Sequence, residues 1–180
     1  MDFLKGFFLI SNSTLKEKSF NESVIFIVEH NEEGAFGLVV NQLEEIKYLD
    51  QMPEVIKKGE LFKVYRGGPV REEILFILYN SRLHSGFGEE IIPDVFLGTS
   101  IELIEILAEE NLPYHIYHGY AGWAPGQLES ELEAKTWMVM PAQKEMIFHS
   151  NPEIVWREAL LYNGGIFSYF AKNIKDPFLN

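Results

Sequence analysis

Cysteine is absent from all 180 residues. That removes disulfides, thiolate metal sites and cysteine nucleophiles together, and it fits a reducing compartment. No apolar run approaches the ~20 residues of a membrane-spanning helix. The stretch Phe7–Ile10 is far shorter than a secretory signal core. A cytoplasmic location with no membrane partner is the expectation. Positive charge is also scarce, with 15 Lys and Arg against 27 Asp and Glu and a net charge of −12. The densest basic clusters, Lys16/Lys18 and Lys57/Lys58, form no stripe. Such a body is repelled by duplex DNA at long range, so no direct nucleic-acid binding is expected.

Catalytic signatures are missing as well. There is no HExxH, no GxSxG elbow and no phosphate loop with its Lys and Ser/Thr. The 5 histidines, at positions 30, 84, 115, 118 and 149, are dispersed. His115 and His118 sit three apart on a predicted strand and so face opposite sides. Neither a metal nor a cofactor is expected.

What is present is apolar mass. At 47% hydrophobic and 14% aromatic, the chain is too apolar to be disordered. A protein of this size buries roughly 70% of its unfolded surface, and one domain over residues 1–180 is the expectation. Strand patterns run over Phe7–Ile10, Val24–Val28, Ala35–Val40, Phe62–Arg66, Glu73–Tyr79 and Val95–Leu97. The connection Asn31–Gly34 predicts a hairpin. Leu43 to Gly59 carries interrupted helical signals, and residues 80–93 read as loop. Thr99 with Glu102 predicts a capping box before a helix that Pro113 terminates. Asn151 followed by Pro152 predicts a second helix start, with Val155, Ala159 and Tyr162 on one face, Trp156 and Leu160 beside them, and Gly164-Gly165 as the stop. Strands precede helices mostly in hairpins, which gives an α+β class, and the sole crossover pattern lies in 114–141.

That stretch, 114–142, organises the rest: a strand over Tyr114–His118, a glycine-punctuated loop, a short helix through Leu128 and Leu132, and a strand over Trp137–Met140. Gly119, Gly122 and Gly126 suggest special angles or close approach, so Gly122, Trp123, Gly126, Gln127 and Glu129 are candidate ligand- or partner-binding residues. The bland alternative is a structural turn, since Glu129 already sits where the helix dipole favours an anion. Gly67 and Gly68 join the candidates through the tight Gly-Gly-Pro-Val connection. Glu29, His30 and Asn31 at a strand end could supply a base and an orienting carboxylate. Alternation sends Glu29 and His30 to opposite faces unless the strand bends, and turn chemistry by Asn31 beside an edge histidine is the plainer reading.

Several blocks resemble the YqgE/AlgH family. They are Ser23-Val24, Glu29-His30-Asn31, Gly34-Ala35, Gly37-Leu38 and Asn41; then Gly67-Gly68-Pro69-Val70; then Gly119-Tyr120-Ala121-Gly122-Trp123 with Gly126-Gln127-Leu128-Glu129. Trp156-Arg157 and Asp176-Pro177 through Asn180 are similar too. The resemblance implies a bacterial cytosolic protein whose mixed, mostly antiparallel sheet forks and folds into a pseudo-barrel with helices packed outside. One family member is linked by name to regulation of alginate production, and no catalytic residues come with the resemblance. Lys18-Ser19 and Gln42-Leu43 depart from the family's usual Asp-Pro and Arg-Pro. The leading expectation is a regulatory or binding protein that holds an unknown protein or small molecule on the 119–129 surface. A small-molecule enzyme using Glu29, His30, Gln127 and Glu129 is the alternative, and direct DNA binding is the third.

Overall fold

The computed structural model describes residues 3–12, 20–43 and 63–163. Along them lie β1 (Phe7–Ser11), β2 (Val24–Asn31), β3 (Gly34–Val39), β4 (Lys63–Arg66), β5 (Val70–Tyr79), β6 (Gly88–Ile92) and β7 (Val95–Gly98). There follow α1 (Ile101–Glu109), β8 (Tyr114–Trp123), α2 (Gln127–Glu133), β9 (Trp137–Pro141), α3 (Lys144–Ile147) and α4 (Val155–Asn163). The predicted helical turns between Leu43 and Gly59 and the Gly164-Gly165 stop lie outside the described residues.

The strands form one sheet in the order β6-β7-β5-β8-β3-β2-β1-β9, with β4 added beside β8. Every pairing is antiparallel except β4 with β8. The sheet forks at β8. One flank of β8 carries β5; the other carries β4 over His115–His118 and then β3 over Ala121–Trp123. The parallel pair is therefore β4–β8, not the ends of the 114–141 crossover, which β3, β2 and β1 separate. The far ends of the sheet curl toward each other. Lys5 pairs with Glu89 of β6, and a side chain on Gly6 would meet Ile92 at 3.0 Å. The result is an α+β half-barrel.

Alternation along the strands divides the core. Phe8, Ile10, Val24, Phe26, Leu78, Tyr117 and Met140 face one inner cluster, which α4 joins through Val155, Trp156, Ala159 and Leu160. Ile77, Tyr79, Tyr114 and Ile116 face outward and take α1 through Leu103, Ile104 and Leu107. Leu9, Ile25, Ile27 and Trp137 face outward on the other half, beneath Leu128 of α2. A one-residue slip in any strand would exchange these faces, so burial on both sides fixes the register.

Four local readings need correction. β8 continues to Trp123, so the supposed 119–126 loop is mostly strand. Residues 88–92 form β6, whose Glu89 and Glu90 are exposed; a short charged edge strand carries little apolar pattern but resists edge pairing. The capping box does not form. Ser100, not Thr99, is the N-cap of α1, and from Ser100 the third helical residue is Leu103 rather than Glu102. Tyr162 is exposed in the last turn of α4, beyond the last core residue, Leu160. Asn151 does cap as expected, accepting from the Glu153 amide at 3.1 Å with Pro152 in the first turn.

Candidate functional site

A β-bulge decides what the end of β2 presents. Ile27 pairs with Gly37, yet Glu29 pairs with Phe36, leaving Val28 as the extra residue. Beyond a bulge the side chains exchange faces. Glu29 and Asn31 therefore share the inner side with Phe36, while His30 turns outward beside Ala35. The two-residue turn that follows is held by Asn31, whose Oδ1 accepts from the Glu33 amide and whose Nδ2 donates to Glu29, both at 2.8 Å.

This inner side opens as a groove of about 560 Å³. Glu29, Asn31 and Glu33 form its hairpin edge; Phe36, Phe76 and Tyr120 supply its aromatic wall, and Gly122 and Trp123 of β8 border it. The three wall rings touch one another, Phe36 to Tyr120 at 5.6 Å, Phe36 to Phe76 at 5.9 Å and Phe76 to Tyr120 at 6.1 Å. Gly122, exposed between Tyr120 and Trp123, keeps the floor shallow: a side chain there would lie 3.0 Å from the Tyr120 ring.

The outer side holds a separate polar network. His30, 6% exposed, is no edge histidine. Its Nδ1 accepts from the Leu4 amide at 2.9 Å, which places the ring proton on Nε2, and Nε2–H donates to Glu129 at 2.9 Å. Glu131 accepts from the indole N–H of Trp123 at 2.8 Å, from that of Trp137 at 2.7 Å and from Gln127 at 2.9 Å. Gln127 in turn accepts from the Ala124 amide at 3.1 Å. Trp123 is thus 7% exposed, its ring turned outward against Trp137 at 6.3 Å, and it borders the groove only as the last residue of β8.

Of the sequence-derived candidates, Glu29, Asn31, Gly122 and Trp123 meet at the groove. His30, Gln127 and Glu129 belong to the outer network. Gly126, at φ 76°, forms the left-handed start of α2 in open space. Gly67 and Gly68 are buried where the chain crosses β8. Sequence reasoning missed Phe36, Phe76 and Tyr120, and their signal was available only as aromatics on three strands distant in sequence. Among the described residues, no group of three or more His, Asp or Glu side chains could hold a metal ion. Nor, among them, is any helix long and apolar enough to cross a membrane.

The AlgH-like family profile (DUF179) matches residues 8–168. The chain belongs to this family. It is 34% identical to a UPF0301 protein of Desulfotalea psychrophila, over 95% of this chain and 93% of that one. It is 36% identical to a UPF0301 protein of Serratia proteamaculans, over 87% and 89%. The solution structure of AlgH from Pseudomonas aeruginosa matches with a TM-score of 0.73 at 30% identity, over 93% of each chain. A crystal structure of protein DIP2367 from Corynebacterium diphtheriae shares the fold, at TM-score 0.75 and 21% identity, over 95% of this chain and 93% of that one. Gln42 donates to Ser23 Oγ at 2.7 Å.

The outer network gives a pH prediction. The carboxyl of Glu129 is held below the usual carboxylate range, first by its own backbone amide and then by His30. A depressed folded-state pKa stabilises fully above the unfolded value, and that contribution is lost as pH falls through the folded value. Glu129→Gln should therefore lower the thermal midpoint at neutral pH, and the gap to the parent protein should close on acidification below the usual carboxylate range. A gap that stays constant across that titration would contradict it.

Proposed function

We propose that this AlgH-like protein is a cytoplasmic regulatory or binding module that holds its ligand in the groove beside β8. The observation that carries this reading is the aromatic wall of Phe36, Phe76 and Tyr120 in a groove of about 560 Å³. Volumes of roughly 300–1,000 Å³ with apolar walls and few polar groups are typical of ligand sites. The groove replaces the 119–129 loop as the binding surface, and Trp123 keeps its place at the edge. The enzyme alternative draws no support from the geometry, because Glu29 lies in the groove while His30 and Glu129 pair on the other face.

Tyr120 and Phe36 are the residues to test, both half-buried and on the inner face. Saturation-transfer NMR on a bacterial metabolite extract should give signals with the parent protein. These should vanish with Tyr120→Ala and Phe36→Ala, while the amide spectrum of each variant stays dispersed. Signals that survive both substitutions, or an extract that gives none, would defeat the proposal.

A further inference from the structure

We infer that the groove is selective for a small organic cation, a protonated amine or guanidinium carried on a flat or apolar body. This rests on the binding reading above and adds the ligand's charge and shape. The wall supplies π-faces: Phe36, Phe76 and Tyr120 stand within 5.6–6.1 Å of one another. Rings in this arrangement attract a cation within about 6 Å of a centroid, and the attraction grows as water is excluded.

The hairpin supplies the charge. The bulge at Val28 turns Glu29 inward, and Asn31 Nδ2 holds its carboxylate at 2.8 Å, so the anion is positioned before any ligand arrives. Glu33 follows on the same edge, and among the described residues no Lys, Arg or His lines the groove. An anionic ligand would meet two carboxylates without a cation among the lining residues, on a chain of net charge −12. A neutral apolar ligand would cover those carboxylates and strip their water without replacing it. A cation with an apolar body satisfies both the edge and the wall. The volume, about 560 Å³, exceeds one ammonium or guanidinium group and suits a small molecule.

Three probes separate the ingredients: phenethylammonium carries ring and positive charge, 3-phenylpropionate carries a similar ring with negative charge, and ethylammonium carries the charge alone. Each is titrated into the ¹⁵N-labelled full chain while the Gly122 and Tyr120 amide resonances are followed. Phenethylammonium should move both resonances, with an apparent Kd at least about tenfold below those of the other two probes. Glu29→Gln/Glu33→Gln should bring phenethylammonium and 3-phenylpropionate to within about threefold of each other, since both side chains lie on the surface and their removal leaves the wall intact. Equal binding of the two aromatic probes to the parent protein would overturn the cation inference and leave the groove as a binding site. A preference that is undiminished in the double variant would overturn it too, because the hairpin carboxylates would then contribute nothing to the selectivity. If no probe moves either resonance, the cation inference and the groove reading fall together.

Discussion

Gly68→Ala is expected to abolish the folded state, or to cost more than about 4 kcal/mol if any folded protein survives. β4 and β5 flank β8 on opposite sides, so the Gly67-Gly68-Pro69 connection must pass directly over it. A methyl on Gly68 would lie 2.1 Å from the carbonyl carbon of Tyr120 and 2.3 Å from the Ala121 nitrogen. These are backbone atoms of a strand paired with β3, β4 and β5, so no rotamer change relieves the overlap. At the same crossing a methyl on Gly67 would lie 2.4 Å from Gly119 O, and one on Gly119, at φ 63°, would lie 2.5 Å from Gly68 O. The crossing is thus a three-glycine contact. Gly86→Ala is the control, because nothing lies within 4 Å of its added methyl; its effect should stay within about 0.5 kcal/mol. Urea titration of both variants checks the pair. A Gly68→Ala protein that unfolds with the parent midpoint would show that the strands can separate at the crossing.

That crossing also explains a limit of the sequence. Gly119, Gly122 and Gly126 look alike as letters, and their clustering suggested a functional loop. In three dimensions Gly119 admits another chain, Gly122 floors the groove and Gly126 starts a helix. Local pattern reached what local physics controls: the β2–β3 hairpin, the Asn151 cap, the Leu128 face of α2, and the opposite facing of Glu29 and His30. It could not reach the bulge at Val28, because Val24–Val28 is equally apolar on both faces and reveals no change of parity. It could not reach β6 either, where two glutamates on an edge strand erase the alternation. The aromatic wall was hidden for a different reason. Phe36, Phe76 and Tyr120 each read as an ordinary strand residue, and only the β3–β8–β5 pairing brings their rings together. The family resemblance supplied the fork and the half-barrel, which no periodicity in this chain encodes, since β4 and β3 share a flank of β8 only through long-range pairing.

Trp156→Ala should cost about 3–5 kcal/mol, the range for emptying a large aromatic site in a packed core. Trp156 is 4% exposed at the second position of α4, packed in the inner cluster with Val155, Ala159 and Leu160. The helix enters through the Asn151 cap and Pro152, which fix its first turn over the ends of β1 and β2. The indole N–H donates to the Ser11 carbonyl at 3.0 Å, tying the C-terminal helix to the first strand. Two losses are therefore combined in the alanine variant, the ring volume and a buried hydrogen bond. Trp156→Phe separates them: the ring site stays largely filled while the Ser11 carbonyl loses its donor, so about 1 kcal/mol is expected. Tyr162→Ala on the same helix is the surface reference, because Tyr162 is 63% exposed and should move stability by no more than about 0.5 kcal/mol. Urea midpoints for the three variants should fall in the order Tyr162→Ala, Trp156→Phe, Trp156→Ala. If Trp156→Ala matched Tyr162→Ala, α4 would contribute nothing to the stability of the core it packs on; if Trp156→Phe matched Trp156→Ala, the bond to Ser11 rather than ring packing would hold the helix in place.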